Sequence, residues 1–270
     1  MPSIEDGLYQ LGRLDRLASQ DTAVHRVDPR AKVLTTFVFL ICVVSFGKYE
    51  LLAMLPFLLF PVALVSEGNL PARYILSRLL VAAPFALVVG VFNPLLDREI
   101  FAHIGSLGIA GGWVSYASII LRFLLTTAAA IVLVGTTSMS GVCNALERLG
   151  VPDVLSTQLL LLYRYIFVLG EEVMRMARAR ALRSFGGRGM GPSVYAQMLG
   201  HLLLRTYARA QRIYLAMKSR GFDGHVRALR RLRFTGADVA FLLGWSAFFV
   251  LARVHNLPLL IGAAVTRLVS

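Results

Sequence analysis

The sequence predicts an all-α, polytopic membrane protein with about five transmembrane helices and a basic helical module on the cytoplasmic side. Three observations predict it. Hydrophobic residues make up 57% of the 270-residue chain and charged residues only 16%, whereas a soluble domain is about half apolar and a quarter charged. Mean hydropathy is +0.67, and the apolar residues fall in long blocks, as a bilayer requires. The formal net charge is +13, and most of it lies in one stretch, as expected of a cytoplasmic face. This composition excludes a soluble single-core enzyme and a disordered chain.

Residues 1–32 are polar and mix Glu5, Asp6, Asp15, Asp21 and Asp28 with basic residues. They show no short basic head followed by an apolar core, so the first apolar block is expected to insert and stay. Two cysteines, Cys42 and Cys143, exclude a disulfide framework.

Five apolar blocks follow: Val33–Gly47, Leu51–Ser66, Leu79–Leu96, roughly Gly105–Thr136, and Ala237–Ala252. A spanning helix needs about 20 apolar residues, so the first, second and fifth blocks run short. Lys32 and Lys48 flank the first and are expected to snorkel, lengthening it. A re-entrant pair competes as a reading of the first two blocks. A weak sixth block, Leu257–Val265, starts beside Pro258.

Basic residues orient the blocks. Arg13, Arg16, Arg26, Arg30 and Lys32 precede the first block, and Arg73 and Arg78 lie between the second and third. The alternate connections carry only Lys48 and Arg98. The N-terminus is therefore expected in the cytoplasm, and four spans return the chain there after Thr136. The expected organisation is a cytoplasmic segment 1–32, four spans in 33–136, cytoplasmic helices in 137–236, and a last span and tail in 237–270.

Residues 137–236 hold 16 Lys or Arg against five acids, a net charge of +11. The stretch reads as three helices. The first is about Ser140–Leu149, with Ser140 as N-cap and Gly150 as stop. The second runs from near Pro152 to Phe185 and is stopped by Gly186 and Gly187. The third runs from Pro192 or Ser193 to about Arg220 and is stopped by Gly221. The apolar half of the second, interrupted by Arg164, is too short to span alone and is expected to pack under the membrane domain. Arg205, Arg209 and Arg212 share one face of the third.

Catalytic motifs are missing. There is no GxxxxGK[ST] loop for nucleotide phosphates, and no HExxH, CxxC pair or DxDxDG loop. His25, His103, His201, His225 and His255 lack metal-ligand spacing. No acidic pair lies inside an apolar block, which argues against a carboxylate proton relay. Arg122 is the one clear charge within a span. Either it snorkels or is capped by neighbouring hydroxyls, or it meets another membrane subunit.

Two arginines stand out. Arg183 lies in RARALRSFG at 178–186 and Arg220 in SRGFDG at 219–224, each a last-turn cation before a helix-stopping glycine. A cation there complements the helix dipole by about 0.3–1 kcal/mol. Alternatively, an arginine at a helix end can fork onto a partner's carboxylate.

These stretches, together with HRVDPRAKV at 25–33 and the order of the spans, resemble the transmembrane coupling subunit of energy-coupling factor transporters (the EcfT family), and its cobalt-transport branch, CbiQ. The resemblance covers nearly the whole chain. The family's motifs usually read Ala-Arg-Gly. Here Arg220 matches in SerArgGly and Arg183 in LeuArgSer, a departure, with Arg180 in AlaArgAla as the alternative alignment. The resemblance implies that Arg183 (or Arg180), Ser184, Ser219, Arg220 and Gly221 dock an ATPase subunit pair (CbiO-like), and that Asp28, Pro29 and Arg30 form the N-terminal family motif. It also implies a membrane substrate-capture subunit (CbiM-like) and a small accessory membrane subunit (CbiN-like), in the cell (inner) membrane. The chain itself would carry no cofactor, no metal and no catalytic residue. ATP-driven closure of the ATPase pair would move the two helices and tip the capture subunit to release cobalt or nickel inside. A vitamin such as biotin is the alternative cargo. A polytopic membrane enzyme lacks a visible acidic or metal-binding motif. A nucleic-acid binder is disfavoured because the basic stretch alternates its arginines with apolar faces.

The orientation is open to test. A single cysteine near Arg188, with Cys42 and Cys143 replaced, should be shielded from impermeant thiol reagents in right-side-out vesicles. Ready labelling would overturn the assignment.

Overall fold

The computed structural model describes residues 12–13, 15–96, 100–104, 107–183, 191–224, 226 and 234–255. The chain divides into two compact units, Met1–Leu14 with Cys143–Arg231, and Asp15–Val142 with Leu232–Ser270. The weak sixth block, Ser184, His225 and the stop at Gly186 and Gly187 lie outside the described residues.

The second unit is a helical bundle. Helix α1 is Pro29–Val44. Asp28 caps it, accepting the Arg30 N–H at 2.9 Å, and Pro29 occupies the first helical position, where no N–H is needed. The chain returns through a 3₁₀ stretch, Leu52–Leu58, and α2, Leu59–Glu67. Pro56 lies inside the 3₁₀ stretch, where its missing N–H and ring disfavour a regular α-turn. Asn69 adopts a left-handed φ of 47° and ends α2, with Leu70 N–H donating to Val65 O and Asn69 N–H to Ser66 O.

Helix α3, Ala72–Gly90, starts seven residues before the apolar block predicted at Leu79, because Arg73 and Arg78 belong to its first turns. The Arg78 guanidinium lies 5.1 Å from the Tyr74 ring. A short α4, Phe92–Leu96, leads to an antiparallel hairpin of β1, Ile100–Ile104, and β2, Leu107–Ala110, in which Ala102 pairs with Ile109 and Ile104 with Leu107. The fourth span therefore begins later than predicted: α5 is Gly111–Thr137. Gly105 and Gly108 disfavour helix over the first part of the predicted block. The all-α class stands, with this hairpin as its one addition among the described residues. Helix α9, Gly236–Val254, completes the unit.

Contacts at the helix ends set the directions. Helices α1 and α9 run parallel: Asp238 meets Asp28 at their starts and Arg253 meets Ser45 at their ends. Helix α5 runs opposite to α1, with Thr136 beside Lys32 and Arg122 beside Phe46. The 3₁₀–α2 segment passes Ser118 at Met54 and comes up against Thr136 at Gly68. Along α5 that is 18 residues, about 27 Å, close to the ~30 Å hydrocarbon core. The first two blocks thus run antiparallel to one another along α5. Helices α3 and α5 approach at Gly90, where an added Cβ would lie 2.7 Å from the Tyr116 ring.

The core is aromatic. Phe39, Phe57, Phe60 and Phe249 are fully buried. Phe249 lies 5.2 Å from Phe39, 5.7 Å from Phe57, 5.1 Å from Phe60 and 5.8 Å from Trp245. Leu76, Leu80, Val81, Phe85 and Val88 on α3 are exposed, the inverse of a soluble helix and the pattern lipid permits.

The first unit contains most of α6 (Met139–Arg148), with α7 (Asp153–Arg183) and α8 (Pro192–Ser219). The cap of α6 is Ser138 rather than the predicted Ser140: its Oγ accepts the Gly141 N–H at 3.2 Å, and its φ of 63° marks the break from α5. Among the described residues, four helices suffice by length and composition to cross a membrane, Ala72–Pro94, Gly111–Thr137, Asp153–Arg183 and Gly236–Val254. Of these, α7 has the lowest hydropathy.

Replacing Phe249 by Ala should lower unfolding stability in detergent by about 3 kcal/mol through the cavity it leaves. Replacing Phe85, 73% exposed, should change it by less than about 0.5 kcal/mol. Equal effects would refute the assigned core.

Candidate functional site

Two features concentrate polar chemistry: the paired helices α7 and α8, and a polar knot around the N-terminal motif. Helices α7 and α8 meet at Glu172, which accepts from Arg175 one turn on and from Arg205 of α8, both at 2.8 Å. One acid against two arginines leaves this contact basic. Nearer the start of α7 an apolar groove of about 820 Å³ opens between the helices, lined among others by Leu155, Leu162, Tyr165, Leu203, Tyr207 and Tyr214.

Helix α8 ends in a glycine stop. Phe222 N–H donates to Met217 O and Gly221 N–H to Lys218 O, while Gly221 has a φ of 79°. This is the paired closure that needs a left-handed residue after the cap. It leaves Ser219 as the last helical residue and Arg220 as the cap, exposed. Beyond it, Gly224 O accepts from Thr157 Oγ1 at 3.1 Å, pinning this end of α8 to the start of α7. Arg183 is the last residue of α7, with Arg180 one turn before it, and both are exposed. From Thr157 to Arg183 the helix runs 26 residues, about 39 Å. The structure therefore places Arg220 and Arg183 at opposite extremes of the helix pair. Among the described residues, Arg180, Arg183 and Arg220 have no acidic partner.

The N-terminal motif is built differently. Asp28 is 3% exposed. Its N–H donates to Asp238 Oδ1 at 2.7 Å, and Arg30 Nε lies 3.8 Å from its Oδ1. Asp238 Oδ2 accepts from Thr235 N–H and from Thr235 Oγ1, both at 2.7 Å, the capping box of α9. Lys32 does not snorkel as expected. It is 3% exposed, and its Nζ donates to Thr136 O at the end of α5, 2.9 Å away. A buried ammonium placed on a helix's last carbonyls is matched to the negative end of the dipole. His25 sits beside this knot. Its Nε2–H donates to Leu17 O at 3.0 Å, so its Nδ1 accepts from Thr22 Oγ1 at 2.8 Å. Burial, and then the charge of Lys32, push its pKa below 6.5.

Arg122 also finds its partner within the chain, a main-chain carbonyl rather than a hydroxyl: Nη2 donates to Phe46 O at 2.8 Å. Asp238, absent from the sequence-predicted site, is signalled only by Thr235 three residues before it. Among the described residues, no group of three or more His, Cys, Asp or Glu could hold a metal ion.

Comparison with known proteins finds a match over residues 20–230 to the family model CbiQ, cobalt transport protein. The chain is 29% identical over 230 residues to an uncharacterized protein of Methanocaldococcus jannaschii, covering 82% of this chain and 78% of that one. It is 27% identical over 238 residues to the energy-coupling factor transporter transmembrane protein EcfT of Bacillus subtilis, covering 82% and 89%. A shorter match, 30% over 90 residues and a third of each chain, is to the nickel permease LarQ of Lactiplantibacillus plantarum.

The neutral His25 gives a pH signature. Its folded pKa is depressed, so its contribution to stability is present above pH 6.5 and is lost as pH falls below that value through the lower folded pKa. The melting temperature in detergent should drop as pH falls below about 6.5, and His25→Gln should flatten that drop. An unchanged slope in the variant would show that His25 is not the titrating group.

Proposed function

The chain belongs to the CbiQ family of cobalt transport proteins, and from that premise we propose that it is the transmembrane coupling subunit of an energy-coupling factor importer for cobalt or nickel. On this reading it is non-catalytic. ATP is hydrolysed by a partner ATPase pair, and the ion is taken up by a separate membrane capture subunit. The observation that carries the reading is the pair of exposed arginines, Arg183 at the end of α7 and Arg220 at the end of α8 that is tied to Thr157, about 39 Å of helix before Arg183. Two similar docking points at the extremes of one rigid element suit two copies of one ATPase. A guanidinium is the group for forked recognition of a carboxylate.

The N-terminus and residues 137–236 are read as cytoplasmic, which places α7 and α8 along the inner membrane edge. Arg164, Glu171, Glu172, Arg175 and Arg178 along α7 support an interfacial rather than a spanning position. The apolar groove between the helices then suits the capture subunit, whose surface is itself apolar. The family description and the partial match to a nickel permease support a transition-metal cargo.

The arginines separate docking from simple helix capping. Capping is worth about 0.3–1 kcal/mol, and lysine would preserve it. Docking in a partly buried groove would lose about 3–5 kcal/mol when one partner is removed, and lysine cannot reproduce the fork. Co-purification with the ATPase pair and ion uptake are the measurements. Arg183→Ala and Arg220→Ala should each weaken both, the double variant should abolish uptake, and Lys should not rescue. Arg209→Ala, mid-helix, should matter less. Normal assembly and uptake in both alanine variants would reduce the arginines to caps. Damage from Arg180→Ala with a silent Arg183→Ala would move the first docking point one turn back.

A further inference from the structure

The knot around Lys32 and Asp238 is buried, charged and distant in sequence from both arginine motifs, and docking makes no use of it. Three helix ends converge there. Asp238 serves the starts of α1 and α9, accepting from Asp28 N–H and Thr235 N–H. Lys32 serves the end of α5 through Thr136 O. Each charge has the sign its helix end favours, and the two attract one another. Asp28 Oδ2 and Arg30 Nε are buried and have no hydrogen-bond partner among the described residues.

The position of the knot in the chain gives it a role. The chain passes between the two units at three places, after Leu14, after Val142 and before Leu232, and the last two flank α7 and α8. The knot holds Thr136, six residues before Val142, and Thr235, three residues after Leu232. Any displacement of α7 and α8 that reaches the bundle along either of these two flanking connections arrives at this one cluster. Packed helices respond to such a displacement as units.

We propose that the Lys32–Asp238 knot is the joint through which movement of α7 and α8 is delivered to the membrane bundle, with Lys32 and Asp238 as positioning residues. The proposal rests on the coupling-subunit reading. If the joint transmits motion, loosening it leaves the ATPase docked and active while transport fails to follow.

The test uses the whole complex, the chain co-expressed with its ATPase pair and capture subunit, and reads ion taken up per ATP hydrolysed. Asp238→Asn keeps shape but offers an amide where Thr235 needs an acceptor, and Lys32→Met keeps length but removes the ammonium. Both should assemble and hydrolyse ATP at the wild-type rate, with uptake per ATP reduced roughly tenfold, the scale of a typical coupling energy. The double variant should be no worse than the more severe single one, because both break the same joint. Should Asp238→Asn not accumulate in the membrane, Thr235→Val, which removes a hydroxyl donor and no charge, takes its place. A wild-type uptake ratio in these variants, or a loss that adds between them, would overturn the proposal. If the wild-type chain captured no ATPase pair, the coupling reading would fall with it, an outcome distinct from intact assembly with an unaltered ratio.

Discussion

Helix α1 is too short for its surroundings, and the membrane unit is organised around that fact. Sixteen residues make about 24 Å of helix, less than the ~30 Å of hydrocarbon. Its terminal N–H and C=O groups therefore need partners where water is scarce. Each end receives them from other helices. Asp238 of α9 accepts from Asp28 at the start, while Arg122 of α5 and Arg253 of α9 donate to Phe46 O and Ser45 O at the end. Satisfying one short helix thus fixes the heights of two longer ones. Arg253 also lies 4.5 Å from the Phe46 ring and 3.5 Å from Glu50, so the same end carries its own counter-ion.

The aromatic core follows from this arrangement. Once α1 and α9 run parallel with their ends tied, Phe39 and Phe249 face each other, and the returning 3₁₀ stretch and α2 bring in Phe57 and Phe60. Lipid supplies no hydrophobic drive between helices, so the packing of these rings and the polar ties at the ends share the work of holding the unit. The helix pair α7–α8 contrasts with it. It has basic ends, an apolar groove and almost no buried side chains, as suits surfaces meant for partners.

How much of this was legible in the sequence varies by kind of feature. Helix interiors were legible, because an apolar block long enough for a bilayer has few alternatives. The stops at Gly150 and Gly221 were legible too, and both glycines adopt positive φ. Boundaries set by local competition were less so. Ser140 was read as the cap of α6 where Ser138 holds that place, and the glycines of residues 105–112 did not reveal that the fourth block opens with a strand. The arginines at 183 and 220 could be singled out as last-turn cations. Their placement at opposite extremes of the helix pair could not.

By itself the sequence determined the class, the order of the apolar blocks, the basic character of residues 137–236 and the family, since composition, block order and linear motifs are properties of the chain alone. Only the tertiary structure decided what Lys32, Arg122 and Asp238 do. Lys32 and Asp238 are charges at the edges of apolar blocks and Arg122 is a charge within one, and linear sequence names no partner for any of them. Their partners lie 104, 76 and 210 positions away, at helix ends whose unsatisfied groups meet only after the bundle has formed. A charge that answers a main-chain dipole leaves no mark in the partner's side chain, so no pairing of residue types could have announced it.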